Sequence, residues 1–213
     1  MIKLSAIFLL LLASFAVSGG NLKKNDINLE CVSSLQSLLS SITTISGSFK
    51  QVTYDEKGEV AQEAQGRLIA ERPGKIRWVT DAPMEQHIVS DSKNIWIYDP
   101  DLEQVTISKF SSDISKNPSL LLIGNISDIE LSFSAGCKSG DAVDFTLTPI
   151  TADSLYEKIQ ISFTGKTPSS MSLRDSLGRK TTINLTEVKI NKVVSQKNFQ
   201  FIPPDGVDVI WYK

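Results

Sequence analysis

The sequence predicts a mainly β protein with one substantial helix, an α+β arrangement, and three observations lead to this prediction. Residues 28–42, NLECVSSLQSLLSSI, carry apolar side chains at steps of three and four. From residue 45 onward the apolar period becomes two, in short runs separated by turns rich in Asp, Gly and Pro. Such turns join consecutive strands into an antiparallel meander, so a sheet of eight or more strands must curl strongly or close.

The first 20 residues, MIKLSAIFLLLLASFAVSGG, have the layout of a cleaved secretory signal. Lys3 precedes an uncharged run from Leu4 to Val17, which is shorter than the roughly 20 residues that span a bilayer. Small residues follow this run, so we expect cleavage after Ser18 or within a residue or two of it. The sequence thus predicts a signal peptide over 1–18 and a single exported domain over 19–213.

The helix predicted over residues 28–42 has Asn28 as its N-cap and presents one apolar face. The strands that follow are predicted at residues 76–80, 87–91, 94–99, 104–108, 129–134, 143–149, 158–163 and 180–185. Alternation is cleanest at Ile129, Leu131 and Phe133 and at residues 159–163, where polar residues separate the apolar ones. A strand of this pattern buries only one of its faces.

Residues 110–127, FSSDISKNPSLLLIGN and the two that follow it, interrupt the strand rhythm. Pro118 can begin a helix, and Gly124 can end it. The residues between them include Leu121 and Leu122 and are apolar on every side, which a surface helix would not be. The segment therefore lies against either the core or the mouth of a cavity, and the core is favoured.

Composition and motifs exclude several classes of function. The chain has 22 basic and 24 acidic residues and a net charge of −2, which argues against a nucleic-acid or anionic-membrane footprint. It contains neither a Gly-x-Ser-x-Gly element nor a phosphate-binding glycine loop, and its one histidine, His87, has no nucleophile motif near it. We therefore expect no enzymatic activity, no cofactor and no metal.

The chain has two cysteines, Cys31 and Cys137. In an exported protein an isolated pair favours a structural disulfide over two free thiols. Two sulfurs without histidine partners do not make a zinc site. No cysteine directly follows the signal, so the chain lacks the acylation site that would make it a lipoprotein itself.

Residues 47–106 contain the elements Phe-x-Gln, Arg-Pro and Trp-Ile-Tyr-Asp-Pro. With these elements the stretch closely resembles the LolA family, the periplasmic carriers of outer-membrane lipoproteins. Later blocks follow in the family's order: NPSLLLIGN at 117–125, FTLTP at 145–149, LRDSLGRKTTINL at 173–185 and FQFIPPDGVDVI at 199–210. The likeness therefore extends over nearly all of the mature chain.

The resemblance implies an incomplete antiparallel β-barrel of about eleven strands, closed by a helical lid around an apolar cavity. It implies a monomeric periplasmic carrier that accepts acylated lipoproteins from an inner-membrane ABC-type release complex and delivers them to an outer-membrane receptor. By the same resemblance, Arg72 latches the lid by hydrogen bonds to its carbonyls, although the residues alone favour a solvated turn arginine. The positions that the resemblance places around the acyl chains are Ile76, Trp78, Ile88, Leu121 and Leu122.

Two alternatives remain open at the level of sequence. One is a related periplasmic protein of the same fold that binds lipid or senses envelope stress. The other, from a different class, is a purely structural periplasmic scaffold. The outer-membrane receptor of this fold needs an acylated cysteine after its signal, which this chain lacks.

Overall fold

In the computed structural model, short turns and strands of period two form one large sheet. The structure describes residues 22–111, 121, 126, 129–151 and 154–212, with side chains from Leu29 onward. The predicted signal peptide lies outside these residues. The helices are α1 (Leu22–Ser40), α2 (Ile129–Ser132) and a 3₁₀ helix over Gln196–Phe199. The strands are β1 (Thr44–Tyr54), β2 (Val60–Glu71), β3 (Lys75–Thr80), β4 (Gln86–Asp91), β5 (Asn94–Asp99), β6 (Gln104–Lys109), β7 (Phe133–Ser139), β8 (Val143–Pro149), β9 (Tyr156–Thr164), β10 (Thr167–Asp175), β11 (Lys180–Ile190) and β12 (Asp208–Trp211).

The twelve strands of the described residues belong to one unclosed sheet, in the order β12-β6-β5-β4-β3-β2-β1-β11-β10-β9-β8-β7. Neighbouring strands are antiparallel except β12, which runs parallel to β6. β1 joins the early strands of the sheet to the late ones, because it pairs on one side with β2 and on the other with β11. The mainly β fold with an incomplete, barrel-like antiparallel sheet is thus confirmed.

Two details of the prediction were wrong. Residues 129–132 form the short helix α2 instead of the start of a strand, so Ile129 is buried while Leu131 is 73% exposed. Helical turning sends the two side chains in different directions, which strict alternation would not do. The main helix begins at Leu22, so Asn28 lies inside α1 and is not its N-cap.

The hydrophobic core lies on the inner face of the sheet, the face that carries Ile76 and Trp78. α1 supplies Val32, Leu35 and Leu39, each at most 3% exposed, at the three- and four-residue steps read from the sequence. The sheet supplies alternate residues of its later strands, all buried: Phe133, Phe145, Leu147, Ile159, Ile161, Phe163 and Met171. This part of the inner face is therefore filled by α1.

The chain after β11 crosses the outer face of the sheet, and we call residues 191–211 the C-terminal strap. Arg77 holds it, donating from Nε to the Asn198 carbonyl at 2.6 Å and from Nη2 to the Gln200 carbonyl at 2.9 Å. Burial lowers the pKa of Arg77 from its usual value. Phe199, in the 3₁₀ helix, is buried at 2% exposure. The strap thus covers a second, smaller apolar patch and ends in β12 at the edge of the sheet.

A polar cluster anchors the strap at one end. Lys75 Nζ lies 2.7 Å from both Glu71 Oε1 and Gln196 Oε1. Gln196 Nε2 in turn donates to Glu71 Oε2 at 2.9 Å. The hydrogen bond from Lys75 lowers the pKa of Glu71 below its ordinary 4.5, so this carboxylate is ionised at neutral pH.

Candidate functional site

The part of the inner face that α1 leaves open is a cavity of about 610 Å³. Its strands arrive from both halves of the chain, since Gln51 lies on β1 and Ile183 on β11. The apolar residues that line it are Ala64, Ile76, Trp78, Met84, Ile88, Ile95, Leu102, Phe110 and Ile183. The polar residues that line it include Gln51, Gln62, Thr80, Gln86, Asp99 and Asp101.

Strand register places the apolar lining residues in rows across the sheet. Trp78 on β3 pairs with Ile88 on β4, and Ile88 pairs with Ile97 on β5. One step nearer the β2–β3 turn, Ile76 pairs with Ser90, which pairs with Ile95. Because alternate residues of a strand face the same side, these two rows form one wall, which is apolar except for the buried Ser90.

The aromatic wall of the cavity depends on a glycine. Phe49 stacks on Trp78 with 4.0 Å between ring centroids. A Cβ at Gly66 would lie 2.9 Å from the Phe49 ring and 1.9 Å from the Val79 carbonyl oxygen. Only a residue without a side chain fits between these groups, so Gly66 allows Phe49 to reach across β2 toward Trp78.

Arg72, at the end of the β2–β3 hairpin, donates to two main-chain carbonyls from different parts of the chain. Its Nε lies 3.1 Å from the Ile42 oxygen, just after α1, and its Nη2 lies 2.8 Å from the Leu121 oxygen. Burial lowers the pKa of Arg72 from its usual value to about 10, so the guanidinium remains charged at neutral pH. The contact with Leu121 joins the sheet to the segment that the resemblance identifies as the lid.

The predicted cavity residues divide between three places. Ile76, Trp78 and Ile88 line the cavity. Leu121 is fully buried in the core cluster with α1 and is not among the lining residues. Leu122 lies outside the described residues. The interpretation of this segment as core therefore holds for its one described leucine.

Cys31 and Cys137 form a disulfide in the structure, with their Cα atoms 5.4 Å apart. The bond joins α1 to β7, at the far end of the sheet order from β3 and β4. It ties the helix to the filled part of the inner face and leaves the cavity strands untouched.

His87 and Asp99 make local contacts. His87 Nε2 lies 2.9 Å from Glu85 Oε1, and its ring packs edge-on against Tyr98. Asp99 Oδ1 accepts from the Leu102 amide at 3.2 Å, within the turn between β5 and β6. Among the described residues, no group of three or more His, Cys, Asp or Glu side chains is placed to hold a metal ion.

Sequence reasoning missed several lining residues, including Ile95, Phe110 and Ile183. Ile95 lies in a predicted strand, but the face of that strand depends on its register with β4. Ile183 comes from β11, which reaches the cavity only because β11 pairs with β1. The signal that would find them is the strand pairing, which periodicity does not contain.

None of the helices in the described part of the chain has the length and hydropathy of a membrane span.

Comparisons with known proteins agree with one another on the family. A family model described as outer membrane lipoprotein carrier protein LolA matches residues 40–202. An outer-membrane lipoprotein carrier protein from Hahella chejuensis is 42% identical over 203 residues, covering 94% of this chain and 96% of the relative. A protein of the same description from Pseudomonas aeruginosa is 43% identical over 180 residues, covering 84% of this chain and 86% of the relative.

Among solved structures, an uncharacterized conserved protein from Thermus thermophilus has a similar fold. The TM-score is 0.53 at 13% identity, and the match covers 86% of this chain and 98% of that chain. At this level of identity the likeness supports the fold and nothing further.

Proposed function

This chain belongs to the LolA family of outer membrane lipoprotein carrier proteins, and we propose that its cavity shields the acyl chains of lipoproteins in transit across the periplasm. In this proposal the mature protein, freed of residues 1–18, is a monomeric periplasmic carrier. It accepts cargo from an ABC-type release complex at the inner membrane and delivers it to a receptor at the outer membrane.

Elementary energetics explain why a lipoprotein needs a carrier. Each acyl methylene costs about 0.8 kcal/mol to expose to water, and a triacylated protein carries tens of them. Unassisted transfer between two membranes through water would therefore be negligibly slow. A carrier must replace part of the bilayer, but weakly enough that the cargo can leave.

The observation that carries the proposal is the apolar wall of the open cavity. Ile76 and Trp78 on β3 and Ile88 on β4 present aliphatic and aromatic surface toward the same space of about 610 Å³. Trp78 and Ile88 are partly exposed. Their apolar surface is therefore available to a ligand, because other residues of the protein do not cover it fully. Acyl chains are the ligand class that such a surface favours, because they need apolar contact and no hydrogen bond.

Arg72 supplies the weak closure that release requires. Its guanidinium holds the Leu121 carbonyl and the Ile42 carbonyl at once. A hydrogen bond from a charged donor contributes roughly 1.5 to 3 kcal/mol net, so breaking one on opening weakens apparent affinity about ten- to a hundredfold. Cargo would then pass readily to an acceptor that binds it without having to break such a hydrogen bond.

The test introduces a carboxylate into the wall. We expect Ile76→Glu to fold but to accept little or no lipoprotein from the inner membrane, because the charge would be desolvated against acyl chains. The measurement is release of a radiolabelled lipoprotein from spheroplasts by the purified variant. Leu177→Glu, at a position 69% exposed in the β10–β11 turn, introduces the same charge away from the cavity and serves as the control.

Ile76 also contacts the core, so thermal unfolding must accompany the assay. Ile88→Glu gives a second variant at a less buried position of the same wall. Normal acceptance by either folded variant would remove these residues from the acyl site.

A further inference from the structure

We propose that the cavity binds its cargo in one orientation, with the acyl termini at the Ile76 end and the glyceryl esters and first peptide groups at the Thr80 end. This inference rests on the proposed carrier function and adds to it a polar subsite. The subsite is formed by Gln51, Gln62, Thr80 and Gln86.

Register shows that the inner face changes from apolar to polar along the strands. Trp78 and Ile88 form one row, and the next residues on the same face are Thr80 and Gln86, which pair with each other. Alternate residues of a strand are about 6.8 Å apart, so the change occurs within a single step. The row on the other side of Trp78 contains Ile76, the buried Ser90 and Ile95, and Phe110 also lines the cavity.

Gln51 and Gln62 extend the polar end onto the neighbouring strands. Gln51 on β1 pairs with Ala64 on β2, and both line the cavity. Gln62 lies two residues before Ala64, on the same face. Four amide or hydroxyl side chains, from β1, β2, β3 and β4, therefore converge on one end of the cavity, whose lining also includes the carboxylates of Glu85, Asp99 and Asp101.

These four side chains have unused hydrogen-bonding capacity. Within the part of the chain that the structure describes, the side chains of Gln51, Gln62, Thr80 and Gln86 make no hydrogen bond and no ion pair, unlike the two arginines described above. Each glutamine offers two donors and an acceptor, and threonine offers one donor and two acceptor lone pairs. The polar end can thus both donate to ester carbonyls and accept from peptide N–H groups.

The chemistry of a lipoprotein fits this gradient in only one direction. Its acyl termini need no partner, whereas its ester carbonyls and its N-terminal amides lose free energy if they are buried without hydrogen bonds. The reverse orientation would place ester and amide groups against Ile76 and Ile95 and leave the glutamines unpaired. The shared chemistry recognised here is an acylglycerol ester joined to a peptide amide.

Photo-crosslinking of the wild-type protein tests the orientation directly. The probes are two synthetic S-dipalmitoylglyceryl-cysteine peptides, one with a diazirine at the end of an acyl chain and one with it at the second peptide residue. We expect the acyl probe to label the peptide containing Ile95 or Phe110, and the peptide probe to label the one containing Met84 or Gln86, as read by mass spectrometry. The opposite pattern, or labelling of both ends by both probes, would overturn the proposal.

A second test removes the polar groups and compares two ligands. In Thr80→Val and Gln86→Leu proteins we expect affinity for the lipopeptide to fall about tenfold per removed group, while affinity for palmitate stays the same or rises. Gln160→Leu, the same change at an exposed position of β9, should leave both unchanged. Equal changes for the two ligands, or no change in either, would overturn the polar subsite.

Failure of the orientation is distinguishable from failure of the function. If the wild-type protein does not bind the lipopeptide at all, the carrier function itself is wrong. If it binds the lipopeptide in reverse or without preference, only the orientation is wrong.

Discussion

The side chain of Arg72 hydrogen-bonds to two parts of the chain that are far apart in sequence. Main-chain geometry places it at the end of β2, where its own amide donates to the Thr43 carbonyl at 2.9 Å. Its side chain then reaches the Ile42 and Leu121 carbonyls, which no neighbour in sequence would indicate. The five donors of a guanidinium make such sharing possible, and a solvated turn arginine would make none of these side-chain contacts.

We expect Arg72→Leu to bind lipoprotein more tightly than the wild type but to fail in handing it to the outer-membrane receptor. The substitution removes the hydrogen bonds that oppose opening, by roughly 1.5 to 3 kcal/mol for each one lost. Arg72→Lys should restore hand-off only in part, because an ammonium lacks the planar fork. The assay loads each protein with one lipoprotein and follows its transfer to the receptor.

Arg67→Leu is the matched control, since Arg67 is exposed on β2, the strand that directly precedes Arg72. Normal hand-off by Arg72→Leu would show that Arg72 is not a latch.

At the scale of elements, β3 separates two functions by alternation. Ile76 and Trp78 face the cavity, and Arg77 between them faces the C-terminal strap. The strap also rests on the Glu71, Lys75 and Gln196 cluster. This six-residue strand therefore carries the cavity wall on one side and contacts the C-terminal strap on the other.

We expect Arg77→Ala to loosen the C-terminal strap without disturbing the other strands of the sheet. Its two hydrogen bonds to carbonyls come from a charged donor, and the one to Gln200 is exposed to solvent. The loss should therefore lower the free energy of unfolding by about 1.5 to 3 kcal/mol, the contribution of the single part-buried bond to Asn198. Hydrogen exchange should rise at residues 196–211 and stay low in β8 and β9. Unchanged exchange in the strap, or an equal rise in Arg67→Ala, would contradict this role.

Sequence patterns predicted elements well where local signals were strong and poorly where tertiary pairing decides. The strands over residues 94–99 and 143–149 were predicted at their observed bounds. β1, with Ser46, Gly47 and Ser48 in it, has weak local strand preference and owes its form to two flanking partners. The residues of β3 and β4 that the family resemblance predicts for the cavity do line it. The proposed polar subsite could be identified only from the register of the strands.

At the scale of the whole molecule, the disulfide connects two regions far apart in sequence. Cys31 and Cys137 are separated by 106 residues, and the bond ties α1 to the β7 edge of the sheet. Cys31 is fully buried beside the α1 core residues. The disulfide therefore holds α1 against one half of the inner face, and the other half forms the cavity.

We expect the double variant Cys31→Ser/Cys137→Ser to lose stability while keeping its ability to bind lipopeptide. A loop of about a hundred residues gives an upper estimate near 4.7 kcal/mol in the chain-entropy model. Denaturant unfolding measures the loss, and alkylation of the non-reduced wild-type protein should modify neither thiol. Free thiols in freshly isolated protein would rule out the bond.

The pairing of β1 with β11 has a consequence for export. Ile45 lies opposite Ile190. In the export that we propose, one of the first strands to cross the inner membrane is therefore not paired on both edges until one of the last has crossed. Closing so long a loop is slow and cannot precede translocation of the late strand. Because Ile183 of β11 also lines the cavity, we expect a chain still threaded through the inner membrane to have no complete site, and therefore to leave the lipids beside it undisturbed.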